Sequence, residues 1–175
     1  MRGKTATPQK AVTPEKTIFR FEVQLLSGPI APSFLAKHPE APTRVIDIRG
    51  SNTLEELHVA IFSAFDRYDE HMYEFQVGGK KPMDKKAVRY IVPYEYADPE
   101  ELSAGETSIA SLGLRTRQCF YYWFDFGDDW WHKIRLLAIN PPTEGKKRYP
   151  RIVESIGPSP PQYIIDWDEE EEEDE

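Results

Sequence analysis

Three histidines and two aspartates are the residues of this 175-residue chain best suited to metal or acid–base chemistry: His58, His71, His132, Asp125 and Asp128. Neutral imidazoles joined by a carboxylate suit Zn²⁺ or Fe²⁺. The two aspartates flank Phe126-Gly127, and such a pair can exchange protons with a substrate. Each group also has a structural reading. The histidine spacings of 13 and 61 residues match no compact metal motif such as His-Glu-x-x-His. An Asp beside a Gly turn commonly accepts backbone N–H groups and holds the loop. A third set is aromatic and cationic: Trp123, Trp131, Lys133 and Arg135. These side chains can stack on a ligand, a peptide or a base, or simply form a cross-strand pair.

The elements that position these groups follow from periodicity. Residues 120–137 read as a β-hairpin of two aromatic-rich strands around Gly127-Asp128-Asp129. A loop with an odd residue count sets Phe126 opposite Trp130, Phe124 opposite His132 and Tyr122 opposite Ile134. An even loop would mix this apolar set with Lys133 and Arg135. The odd loop predicts a core face and a wetter face carrying Trp123, Asp125, Trp131 and Lys133. Thr53-Leu-Glu-Glu56 is a capping box. Behind it Leu54, Leu57, His58, Ile61, Phe62 and Phe65 form one helical stripe. Ile18 to Leu26 alternates as a half-buried strand, Arg44 to Arg49 gives a second, and His71 to Val77 a third. Ser27 to Pro42 reads as a loop. Residues 80–106 form an insertion with a short strand near 87–92, and Thr107 to Gly113 is one helical turn with a Gly stop. The Pro-rich sequence after Asn140 can wrap the domain but cannot enter a central strand.

The expected architecture is α+β: a mostly antiparallel sheet with one main helix on one face, in the order ββ-α-β-(insert)-ββ. Residues 1–16 read as a disordered arm, 17–165 as one domain, and 166–175 as a disordered acidic tail. That tail holds nine acidic residues and no basic one; the rest of the chain carries 22 basic residues against 21 acidic. The near-neutral body argues against a phosphate-binding field. Gly78-Gly-Lys-Lys81 reads as a turn and lacks the helix start of a phosphate loop. Cys119 is the sole cysteine, so no intramolecular disulfide and no Cys-based metal cluster is expected; it reads as a buried, inert thiol. No leader-like apolar stretch and no membrane-length apolar run is present, which predicts a cytoplasmic chain.

Three segments together resemble a known family: Leu54-Glu-Glu-Leu-His58 running to Phe65, Glu70-His-Met-Tyr-Glu-Phe75, and Tyr122-Trp-Phe-Asp-Phe-Gly-Asp-Asp-Trp-Trp-His132. They are similar to the L-x-x-L-H, H-x-x-x-F and D-F-G-D-x-W-x-H series of the plasmid pRiA ORF-three-like proteins, also labelled insertion-element passenger resolvase-like. A Tyr-Pro segment matching Tyr149-Pro150 follows, and the likeness covers roughly residues 17–155. The resemblance implies an α+β domain and no particular activity. The chain departs from the family's Trp-Arg-Arg element, keeping only Arg44. It also has Gly157-Pro-Ser-Pro-Pro-Gln-Tyr163 where an acidic Cys-Pro-Pro segment is usual.

The sequence favours a non-enzymatic interaction module that binds a protein or peptide through the aromatic hairpin face, without a cofactor. One alternative is a small metal-dependent hydrolase or nuclease-like enzyme using the His/Asp cluster. Another is a nucleic-acid-binding accessory of a mobile element.

Overall fold

The computed structural model describes residues 14–94, 98 and 100–164. Its frame is an eight-stranded sheet in the order β5-β4-β3-β6-β7-β1-β2-β8, antiparallel throughout except between β4 and β5. The strands are β1 (Ile18–Ser27), β2 (Thr43–Arg49), β3 (Tyr73–Val77), β4 (Val88–Ile91), β5 (Leu102–Ser103), β6 (Cys119–Phe124), β7 (Trp130–Ile139) and β8 (Arg151–Ile156). Two helices accompany them, α1 (Pro32–Lys37) and α2 (Leu54–Ala64). The mixed α+β class is as expected. The order is richer, because α1, β5 and β8 arise in stretches read as loop, insertion or wrap.

Period-2 alternation puts Phe19, Phe21, Val23 and Leu25 of β1 in the core and leaves Arg20, Glu22 and Gln24 half-exposed. On α2, Leu54, Leu57 and Ile61 complete the same core. The capping box holds its start: the Glu56 N–H donates to Thr53 Oγ1 at 3.2 Å, and the Thr53 N–H to Glu56 Oε2 at 2.8 Å. The turn before Gly113 is a single 3-10 turn, Ile109–Leu112, and Gly113 adopts φ 60°, a left-handed value that glycine reaches without strain.

The hairpin register differs from the expected one by two residues. Phe124 faces Trp130, Tyr122 faces His132 and Phe120 faces Ile134. The loop is 125–129, five residues, because two aspartates take left-handed backbone, Asp125 at φ 57° and Asp129 at φ 56°. Asp125 Oδ1 accepts the N–H groups of Gly127 and Asp128 at 3.1 and 3.2 Å, and the Asp129 N–H closes on the Asp125 carbonyl at 2.7 Å. Five is odd, as three is, so the faces assigned to Trp130, His132 and Ile134 hold. Two side chains change place. Phe126 leaves the core face and lies against Trp123, with ring centroids 4.1 Å apart. Asp125, expected on the wetter face, is buried.

Other differences have local causes. His71 precedes β3 instead of sharing its face, since pairing with β6 begins at Tyr73. β8 runs between Pro150 and Pro158 on the sheet's edge, where prolines at both ends cost no ladder hydrogen bond. The connection from Gly78 to Ala87 folds over the outer face: Tyr121 donates to the Lys80 carbonyl at 3.0 Å and the Met83 N–H donates to Gln76 Oε1 at 2.8 Å. All five β3 residues are therefore buried. Cys119 is half-buried instead of buried. Of the expected N-terminal arm only residues 14–16 are described, as a 3-10 turn whose Glu15 carbonyl accepts the Ser51 N–H. The acidic tail at 166–175 lies outside the described residues.

Candidate functional site: a buried histidine–tyrosine layer and an outer aromatic stack

His58 enters the core because it falls on the apolar stripe of α2, and His132 because it falls in the apolar phase of β7. Their environments differ. His58 Nδ1 lies 2.7 Å from the Tyr122 hydroxyl and its Nε2 3.2 Å from Glu70 Oε2, while its ring stacks on Tyr73 at 3.7 Å. Burial pushes its pKa down to about 4, so at neutral pH the ring is uncharged. A carboxylate only accepts, so Nε2 carries the proton and Nδ1 accepts from Tyr122. Burial also raises Glu70 above the usual carboxylate range.

His132 is the more enclosed. Phe65 meets its ring edge-on at 4.9 Å and Tyr122 lies 5.2 Å away. Neither ring nitrogen makes a hydrogen bond of normal geometry, although the backbones of Tyr122 and Trp130 lie near enough to favour the charged ring. Burial lowers its pKa to about 3, and the nearby Arg67 guanidinium pushes the same way. Arg67 lies 3.8 Å above the Trp130 ring and donates from Nη1 to the Pro160 carbonyl at 3.2 Å. Burial lowers its pKa to about 10.

His71 sits half-buried outside this layer. Its Nε2 is 2.8 Å from the Tyr163 hydroxyl, 3.4 Å from Asp69 and 3.5 Å from Asp125. The hydroxyl of Tyr163 donates to Asp69, a bond that pushes Tyr163 up to about 12. Glu55, His58, Glu70, His71, Met72 and Tyr73 border an open cleft of about 570 Å³. Three imidazoles thus surround one aromatic layer, all within about 6 Å of the Tyr122 or Phe124 rings. They do not converge. Among the described residues no three His, Cys, Asp or Glu side chains are arranged to hold a metal ion. Of the two aspartates, Asp125 gives one oxygen to the loop's own amides, Asp128's included, and turns the other towards His71 at 3.5 Å.

The hairpin's outer face holds the aromatic set. Trp123 and Trp131 face each other across the strands and stack with centroids 5.0 Å apart and planes 7° from parallel. The Trp123 Nε1–H donates to Asp129 Oδ1 at 2.8 Å, which fixes the indole. Both indoles are half-exposed, as is Lys133; Arg135 is exposed and pairs with Glu22 at 2.6 Å.

Sequence reasoning missed the residues that close the molecule. Arg44 lies in the buried phase of β2, donating to the carbonyls of Ala64 (2.7 Å), Thr43, Ile156 and Gly157 and to Ser159 Oγ (2.9 Å). Gln162 accepts the N–H groups of Tyr68 and Asp69 and donates to the Asp69 carbonyl at 2.7 Å. Together with Arg67 they clamp the segment 157–163 over the end of α2. The readable signal was Arg44 itself, a cation in phase with Ile46 and Ile48.

Fold and site together define an α+β sheet protein with a histidine-bearing aromatic interior. No described helix is long and apolar enough to cross a membrane. The family model for plasmid pRiA4b ORF-3-like proteins matches residues 35–167, and the chain belongs to that family. The uncharacterised protein y4hQ of Sinorhizobium fredii (strain NBRC 101917 / NGR234) is 30% identical over 114 residues. That match covers 63% of this chain and 53% of y4hQ, so the chain spans about half the length of this curated relative. The crystal structure of a protein of unknown function, MM3350 of Methanosarcina mazei Go1, shares the fold. Its TM-score is 0.60 at 23% identity, covering 80% of this chain and 69% of that one.

Proposed function

We propose that this protein is a non-enzymatic interaction module that binds a protein or peptide segment through the outer face of the β6–β7 hairpin. The observation that carries the reading is the Trp123–Trp131 stack, extended by Phe126, half-exposed on the sheet face turned away from α2. Rigid aromatic area is the least costly surface to order on binding, and tryptophan is enriched among residues that dominate interface energies. Lys133 and Arg135 flank the stack and can orient an acidic or carbonyl-rich partner.

The test is selection of a random peptide library on the intact protein, counter-screened on the Trp123→Ala/Trp131→Ala variant. Peptides retained by the parent and at least tenfold weaker on a folded variant are expected. Enrichment indifferent to both indoles, or no enrichment at all, would remove the aromatic face from consideration.

A further inference from the structure

We infer that the cleft between α2 and the start of β3 is a binding site for an alkylammonium group, independent of the aromatic face of the hairpin. Two observations meet there. Glu55 and Glu70 both line the cleft, and no Lys or Arg is among the described residues bordering it. His58, in the same wall, is uncharged at neutral pH because it is buried. With His71 as the other titratable group of the wall, the cleft carries two carboxylates and no lysine or arginine among the described residues. Carboxylates on a surface are common, and by themselves they specify nothing.

The second observation is Tyr73. Its side chain is 2% exposed, lines the cleft, and has a hydroxyl with no hydrogen-bond partner. A buried hydroxyl without a partner costs about 1–3 kcal/mol and is rare in folded proteins. Burial first, and then the charges of Glu55 and Glu70 within electrostatic reach, oppose the ionisation of Tyr73. A hydroxyl has free lone pairs for an N–H donor, so an ammonium placed between the two carboxylates would also satisfy Tyr73.

The rest of the cleft fits the methylenes of such a ligand. Val59 and Met72 are exposed apolar side chains, 57% and 40% accessible, and Val92 completes that wall. An ionic end beside an apolar wall matches a charged head on an aliphatic stem, the build of a lysine side chain or of a free alkylamine. A quaternary ammonium would present the wrong head, because it has no N–H to donate to the Tyr73 hydroxyl.

The experiment is an NMR titration of the full chain, following the ring protons of His58 and Tyr73. The probes are Nα-acetyl-lysine N-methylamide, n-butylammonium, and neutral n-butanol as control. Saturable shifts with either amine and none with n-butanol are expected. Response to the lysine derivative alone assigns the site to a protein lysine, and response to both assigns it to the alkylammonium head. The Glu55→Gln/Glu70→Gln variant should weaken binding at least tenfold. Tyr73→Phe keeps the ring that stacks on His58 and removes only the unpartnered hydroxyl, so it should stay folded and bind several-fold more weakly. No saturation by either amine at tens of millimolar would overturn the inference, as would affinities unchanged in both variants.

Discussion

Trp130 and Trp131 are adjacent in sequence and opposite in fate. Trp130 is fully buried on the core face, roofed by the Arg67 guanidinium and so close to the backbone at Gly28 that a Cβ there would lie 2.2 Å from its ring. Trp131 points the other way, half-exposed and stacked on Trp123. The inner face of the hairpin is closed by packing from every side: α2, the 157–163 segment and the glycine turn after β1. The outer face is closed only where something crosses it. The 78–87 connection covers β3 and Tyr121, while around Asp47 the side chains of Arg20 and Arg151 close in. Between them the stack, Lys133 and Arg135 remain reachable. One hairpin therefore separates a sealed face from a reachable one by side-chain parity alone.

The sharpest way to break that comparison is to truncate each indole in turn. Trp130→Ala removes a ring packed on all sides and the partner of a buried cation, and should cost about 3–5 kcal/mol. Trp131→Ala loses one cross-strand contact and should cost about 1 kcal/mol or less. Urea denaturation of both variants measures the difference. Equal losses would mean that the outer stack is core in all but position, and the proposed binding face would have no spare surface to offer.

How far the sequence revealed this separation depends on what each residue's signal was. Alternation in 120–124 and 130–136 sorted the faces correctly, because parity survives any shift of two. It could not give the register, which rests on whether Asp125 and Asp129 accept left-handed backbone, a choice made by hydrogen bonds inside the loop. The capping box at Thr53 was readable because its four residues satisfy one another without tertiary help. The closing segment was not readable. Gly157 to Tyr163 has no period, and the bonds that anchor it, Arg44 to Ser159, Arg67 to Pro160 and Tyr68 to Gln162, span about 90 to 115 residues in sequence. His58 and His132 were legible as buried, His71 was not, and their separation could not be read, since periodicity gives a face and says nothing about what lies across from it.

Acid should sharpen the comparison on the inner face. His132 is held at about 3 and His58 at about 4, both below the ordinary value of 6.5. Between those values the unfolded chain binds protons that the folded one refuses. Their stabilising share is thus complete above about pH 6.5 and is lost as pH falls towards 4. From pH 7 to 4.5 each ring accounts for a loss of about 2–3 kcal/mol. His132→Leu should remove that share for one site and make the stability–pH profile shallower. At pH 7 it should cost little through hydrogen bonding, because neither imidazole nitrogen makes a well-formed bond. A profile as steep as the parent's would show that the His132 ring is not the neutral, sealed group described above.

The smallest effect is expected at the outer rim. Arg135 pairs with Glu22 at 2.6 Å, yet the two side chains are 47% and 29% exposed, so water and salt screen the attraction. Arg135→Ala should change stability by about 0.5 kcal/mol or less, an effect that fades in 0.5 M salt. Arg20 and Asp47 make the same kind of pair on the same face, but Asp47 is fully buried there and has Arg151 as a second neighbour. The contrast lies in what covers each pair, not in the residue types. If Arg135→Ala cost 2 kcal/mol or more in urea, the rim would be as tightly built as the Asp47 corner, and Arg135 would not be free to turn from Glu22 towards a partner.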